Sequence, residues 1–227
     1  MFRMLAIASL CLLTGASTAP AGWAAAPAQQ VVDRIVARIG NDILTLSEMR
    51  ELAGYQQLVD GQAQPEDRLL SELIEQWALN DEATAAQFPA AAASEVDREA
   101  ARIESRFPNA RAYDQRLAAL AMTRESVRRL VARQIFLARY VDYKFRPAVQ
   151  VDEAAIETYY QQEILPALAT KKQAPPPLEG VRDQIRELLV QQGISERATT
   201  WFEETKSRLS IAIIPASNAA PVSPSHE

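Results

Sequence analysis

Histidine and cysteine are almost missing from these 227 residues: His226 and Cys11 are the single examples of each. A Ser-His-Asp or Cys-His device therefore has no credible base, and zinc sites of the usual kinds lack ligands. Glycine is scarce as well, at 7 residues, and so scattered that no phosphate-cradling loop is present. Basic charge is in deficit, with 24 Lys and Arg against 29 Asp and Glu, a net charge of -5. That opposes a generic nucleic-acid role, which needs a basic footprint. Carboxylate pairs such as Glu203-Glu204 fall on a solvated helix face, whereas general acid–base work needs a shared pocket with shifted pKa values. The sequence thus points to no catalytic residue, no cofactor and no metal ligand, and it leaves any binding residues unnamed.

What is present favours helix: Ala, Leu, Glu, Gln and Arg abound. The first residues read as a secretory signal. Arg3 supplies the positive start, Leu5 to Leu13 is an apolar run too short to span a bilayer, and small residues follow. Cleavage is expected after Ala21, Ala24 or Ala28; a cut after Ala26 would leave Pro27 next to the scissile bond. An uncleaved anchor or an ordinary buried helix is the competing reading. Leu10 stands before Cys11 where a lipoprotein site would want a small residue. With that cysteine inside the leader, the mature chain is expected to have no thiol, hence no disulfide. No other apolar stretch is long enough to cross a membrane. Export to the periplasm of a Gram-negative cell is the expected localisation.

The chain divides into a signal and leader (1–28), a helical region (29–165), a Pro-rich linker (166–177), a helix and strand completing the same module (178–214), and a tail (215–227) expected to be disordered. Val31 to Ile39 is β-branched and partly alternating, Gly40-Asn41-Asp42 has turn chemistry, and Ile43 to Leu46 is a second short apolar run, so a hairpin is predicted. Ser47 or Thr45 caps the next helix, Thr45 with Glu48 having capping-box spacing. That helix runs to about Val59, and Gly61 and Pro65 punctuate the chain. Leu69, Leu70, Leu73, Ile74, Trp77 and Ala78 recur at helical spacing between Glu66 and about Gln87. Further helices are predicted from Ser94, with Asp97, to about Phe107, and from Ala110 to Ala121.

Thr123 caps the clearest helix. Val127, Leu130, Val131, Gln134, Ala138, Val141 and Phe145 form its stripe, widened by Phe136 and Leu137, so burial on more than one side is predicted. Pro147 ends it, and Asp152 caps a short helix through about Leu165. From Leu178 a long helix carries Val181, Ile185, Leu188 and Leu189, is expected to bend at Gly193, and continues with Ile194, Ala198, Trp201, Phe202, Thr205 and Leu209. Ser210 to Ile214 reads as a strand stopped by Pro215. Trp77 and Trp201 both fall on apolar stripes and are read as core. Because neither terminal run makes a stable sheet by itself, the two chain ends are predicted to pair.

Charge is segregated. Residues 42–104 carry 14 acids and 4 bases, while residues 105–146 carry 10 bases and 3 acids. Two segments packed with complementary faces would explain this; a basic face that attracts acidic client segments or a membrane surface is the sharper alternative.

The order of these segments resembles the chaperone module of SurA-like periplasmic proteins. Asp33-Arg34-Ile35-Val36-Ala37-Arg38-Ile39-Gly40-Asn41-Asp42-Ile43-Leu44-Thr45-Leu46-Ser47-Glu48 is similar to that family's opening strand–turn–strand and helix start. Leu69 to Glu75 matches its second helix, and Met122 to Leu130 with Gln134-Ile135 its central long helix. Val151 to Tyr160 resembles the lead-in to the isomerase domain, and Leu178 to Ile214 the helix and strand that close the module. The resemblance spans about residues 31–214. It implies a mainly α fold, a SurA/trigger-factor-like helical chaperone module with a small β-sheet formed by N-terminal strands and a C-terminal strand. It also implies binding of unfolded polypeptides, outer-membrane proteins among them, without ATP. Fuller members carry a parvulin-type prolyl isomerase of roughly 90 residues where this chain has only 166–177, so isomerase activity is not expected: a folded unit of a dozen residues has too little core to enclose a proline. A degenerate prolyl isomerase and an adaptor with one fixed partner are the alternatives.

Overall fold

The computed structural model describes residues 33–215. Arg3, Leu5 to Leu13, Cys11 and the expected cleavage sites lie outside the described residues, as do Val31, Val32 and the tail beyond Pro215 with His226.

The sheet is the first consequence of the β-branched runs. Strands β1 (Ile35–Ile39) and β2 (Asp42–Thr45) form an antiparallel hairpin with Ile39 opposite Asp42 and Ala37 opposite Leu44. Gly40 takes φ +57° at the first turn position, which a two-residue hairpin of this hand demands and side-chain-bearing residues resist. The register shifts between Ile35 and Ala37, and Val36, Ala37 and Ile39 are all buried while Arg38 faces out. The third strand, β3 (Ile211–Ile213), comes from the other end of the described chain and pairs antiparallel with β1, giving the order β2-β1-β3. The two ends do share one sheet.

Helix α1 (Leu46–Val59) starts on Thr45. Its Oγ1 accepts from the Glu48 N–H (3.3 Å), while Glu48 Oε2 accepts from the Thr45 N–H (2.8 Å), closing the capping box. Ser47, the other candidate cap, instead donates its N–H to Asp33 Oδ1. Helix α2 (Glu66–Ala85) follows Pro65. Helix α3 (Ala93–Glu104) begins one residue earlier than Ser94 because the Glu95 carboxylate takes up the Ala92 N–H. Asn109 caps α4 (Ala110–Ala119), Thr123 with Ser126 caps α5 (Arg124–Phe145), and Asp152 caps α6 (Glu153–Tyr159).

Helical winding does not stop near Leu165. A π-helical turn (Tyr160–Ile164) leads into α7 (Leu165–Thr170), so the first residues of the expected linker are helix and only 171–177 are irregular. Proline is tolerated there because Pro166 occupies the first turn of α7, and the widened turn before it absorbs the missing N–H. Tyr160 Oη donates to the Pro176 carbonyl at 2.6 Å and ties the two ends of this loop. Helix α8 (Leu178–Arg208) is continuous through Gly193. The glycine allows a close approach: a Cβ there would lie 2.7 Å from Val149 Cγ1.

Three helices end with a left-handed residue, and none of the three is glycine: Gln87 (φ +53°), Ala121 (φ +52°) and Lys172 (φ +54°). Each closes a Schellman motif. Phe88, Met122 and Gln173 donate their N–H to the carbonyls of Ala83, Leu117 and Leu168, and the left-handed residues donate to Thr84, Ala118 and Ala169. In a chain this poor in glycine, the backbone strain is offset by packing where the following residue is apolar: Met122 is buried with Leu117 in one cluster.

The core has two parts. One gathers the sheet, α1, α2 and Phe202 of α8 around Ile39, Leu52, Leu69 and Leu73; the other gathers Leu58, α3, α4 and the first half of α5 around Ile103, Tyr113 and Val127. Helix α1 contributes to both, through Leu52 and Leu58. Helix α5 packs on α1, α2, α3 and α8, as its wide stripe predicts. Its buried face rotates along its length, so Tyr140 is buried and Ala138 is exposed, the reverse of a straight stripe. Leu188, placed on the apolar face of the long helix, is 42 % exposed.

Candidate functional site: the open edge of the closing strand

The pairing of β3 with β1 decides where unpaired backbone lies. Arg38 stands opposite Ala212, the Ile214 N–H donates to the Val36 carbonyl (2.9 Å), and the Gly40 N–H donates to the Ser210 carbonyl (3.1 Å). In an antiparallel ladder the hydrogen-bonding residues alternate, so Ser210, Ala212 and Ile214 face β1, and the N–H and C=O of Ile211 and Ile213 point away from the sheet. Among the described residues no other strand covers that edge. The edge is short, at three residues, but it carries no charged side chain, and its one proline, Pro215, lies just past its end.

A groove of about 650 Å³ runs beside this edge, lined by Leu70, Ser71 and Ile74 of α2, Leu209, Ile211 and Ile213, with Asp67, Arg68 and Lys206 at its rim. Ile213 pairs with fully buried Ala37 yet is 62 % exposed, because among the described residues no other element covers its outer side. An extended chain laid along β3 would meet four outward backbone groups and an apolar wall.

Helix α2, which supplies that wall, is held by an uncommon junction. The Glu72 carboxylate accepts from Gln56 Nε2 (2.8 Å) and Gln76 Nε2 (3.1 Å), and both glutamines are buried. Burial pushes the Glu72 carboxyl up from the ordinary glutamate value. Glu75, one turn on, is pushed up first by burial and then by the nearby charges of Glu72 and Glu203.

The other expected features resolve as packing. Of the ten bases in 105–146, five reach acids of 42–104: Arg124 to Glu104, Arg128 to Asp97, Arg129 to Glu51, Arg139 to Glu95 and Lys144 to Glu82. Arg106 and Arg116 donate to the carbonyls of Val59 and Gln57 at the C-terminal end of α1, which has no basic residue of its own there. Arg146 bridges Asp142 and Glu187, leaving Arg111 and Arg133 as the remaining two. Complementary packed segments, not a free basic face, account for the segregation. Glu203 and Glu204 are exposed on α8, as read from the sequence. Trp77 and Trp201 are half-buried against the first core cluster rather than inside it. The Trp77 indole N–H donates to Asp42 Oδ2 (3.1 Å), and Trp201 lies 6.1 Å from the Phe145 ring with Lys144 Nζ over it at 4.5 Å.

Sequence reading found the strand at Ser210–Ile214 but not the site. The alternation of Ile211, Ala212 and Ile213 was its only local signal, and the wall comes from a helix some 140 residues earlier. No family model matches the chain, and no curated protein matches it. Among the described residues no three His, Cys, Asp or Glu side chains are grouped to hold a metal ion, and no helix is long and apolar enough to cross a membrane.

Proposed function

We propose that this chain is an ATP-independent chaperone of SurA-like type that holds unfolded polypeptides in the periplasm, outer-membrane proteins among its clients. The observation that carries the reading is the edge of β3, which no strand among the described residues pairs, beside the groove formed by Leu70, Ile74, Leu209 and Ile213. A client strand added there gains main-chain hydrogen bonds that are indifferent to its sequence, and alternate side chains enter the groove. Each hydrogen bond contributes a net ~1 kcal/mol and one buried apolar side chain ~2 kcal/mol, against an ordering cost of ~1–2 kcal/mol per residue fixed. The balance is a weak grip, roughly micromolar to millimolar. A protein that must release its client without a nucleotide cycle needs binding of that order.

The test is light scattering from a denatured outer-membrane protein diluted into buffer without ATP. The wild-type chain should suppress aggregation of that client and of an unrelated one. Ile213→Asp should fold normally, because the side chain is largely in solvent, and should lose most of the suppression. Ile43→Asp alters another exposed apolar residue, 47 % exposed on β2, and should leave suppression intact. Recovery of one partner by pull-down, with no suppression of either client, would instead favour an adaptor. In a parallel X-Pro peptide assay the chain should give the background rate, which is slow enough, at tens of seconds or more, for any catalysis to stand out.

A further inference from the structure

The Gln56–Glu72–Gln76 junction between α1 and α2 differs from every other carboxylate hydrogen-bond network described above. Its acid is held by two neutral amides. Among the described residues no Lys or Arg pairs with Glu72 within ion-pairing distance, and the charge that acts on it, Asp60 just past the end of α1, has the same sign. The surrounding charges do not relieve it. On α2, Glu75 is the next acid; on α8, Glu203 adds a like charge to Glu75, and Lys206 opposes it only in part.

The two amides are not equivalent. Gln56 is locked, since its Oε1 accepts from the Gln64 N–H at 2.9 Å and its Nε2 must then face Glu72. Gln76 is oriented by Glu72 alone, and the described residues bring no donor to its Oε1. A flip of that amide exchanges a donor for an acceptor in the same place. Glu72 can therefore take a proton on the oxygen facing Gln76, donate it to the turned Gln76 carbonyl, and keep its other oxygen as acceptor for Gln56. Both hydrogen bonds survive, and the burial cost of the charge, which outweighs what the two amide bonds offset, is removed.

We propose that this triad is a proton-operated clasp: protonation of Glu72 tightens α2 against α1, and deprotonation loosens it. The sign follows from the preference of the folded state for the neutral acid. The stabilisation is complete below the unfolded glutamate value near 4.5 and is lost as pH rises through that value toward the higher folded one. Acidification from neutrality should therefore strengthen this joint, opposite to the usual acid weakening. Asp33, Glu99, Glu104 and Glu187, all held low by hydrogen bonds, contribute a near-constant amount from neutrality down toward pH 5 and oppose the effect only at the acid end of that window. Because α2 carries the wall of the β3 groove, the clasp ties that wall to the proton concentration of the compartment.

The experiment is a carboxyl-carbon NMR titration of the full chain, with thermal melts of wild type and Glu72→Gln between pH 7 and pH 5. Glu72 should titrate above 4.5 and above the exposed glutamates, and the side-chain NH2 signals of Gln56 and Gln76 should shift with the same midpoint. The wild-type midpoint temperature should rise on acidification. Glu72→Gln presents the protonated pattern permanently; it should match or exceed the wild type at pH 7 and show a smaller rise, the remainder belonging to Glu75. A Glu72 titration at or below 4.5, or parallel pH profiles for the two proteins, would overturn the proposal. The NMR arm needs only the wild type, so it decides the matter even if the variant folds poorly.

Discussion

Replacement of Phe202 by alanine probes how far the end of the chain holds up its beginning. Phe202 is 6 % exposed and packs in one cluster with Val36, Ile39, Leu52 and Leu73, residues from the first part of the described chain. Removing a buried phenylalanine ring costs ~3–5 kcal/mol, combining lost transfer energy with the cavity left behind. Its neighbour Trp201 has the larger side chain but is half-buried. Its loss forfeits the contact with Phe145, ~1 kcal/mol, the cation–π contact with Lys144, ~0.5–1 kcal/mol, and part of its area burial. About 2 kcal/mol is therefore expected for Trp201→Ala, below the 3 kcal/mol or more that a fully buried position would imply. Against a total stability of ~5–15 kcal/mol, the Phe202 change removes a large fraction. Urea unfolding followed by far-ultraviolet circular dichroism should show a lower midpoint with unchanged slope for both variants, the Phe202 shift being the larger. A Phe202→Ala cost under ~1.5 kcal/mol, or a Trp201→Ala cost above it in rank, would refute the shared core as drawn.

Ala121→Gly should stabilise the protein by ~0.5–1 kcal/mol in the same urea assay, because glycine adopts φ +52° without the Cβ clash that alanine bears there. Gly193→Ala should destabilise it by ~1–3 kcal/mol, since the new Cβ would meet Val149 at 2.7 Å, and Val149→Ala should recover most of that loss in a double-mutant cycle. A chain ending at Leu209 keeps Phe202 but lacks β3; it should still unfold cooperatively at a lower midpoint, and light scattering should show client protection gone. A chain ending at Pro166 loses Ile185, Ile194 and Phe202 from the buried set and should show no cooperative transition, whereas an unchanged urea midpoint would contradict the fold's closure by α8.

The local elements were legible in the sequence wherever a short-range rule operates. Thr45 with Glu48, Thr123 and Asp152 mark helix starts because a cap is satisfied within three residues, whereas the Asn109 cap shows only in the structure. The hairpin turn needs only Gly40, and the fully apolar positions of α1 and α2 follow helical spacing. Even the meeting of the chain ends could be inferred, since two strand-like runs too short to stand alone must find partners. Tertiary structure decided what spacing leaves open. Which side of α5 is buried changes along its length because different helices cover it, so Tyr140 and Ala138 exchanged roles. Gly193 admits the close approach of Val149, a matter of one contact between distant segments. The non-glycine helix ends at Gln87, Ala121 and Lys172 have no sequence signature, because residues with no left-handed preference of their own take that conformation to close the helix-end hydrogen bonds. The segregated charges could have formed a free face or a joint; only the meeting of α5 with α1, α2 and α3 made them a joint. The candidate site belongs to the same class. Ile211 and Ile213 acquire an outward backbone edge from their register against β1, and the groove exists because residues 67–74 come to lie beside residues 206–213. Sequence dictates the hydrogen-bonding capacity of a strand, but which of its edges remains open is a property of the assembled sheet.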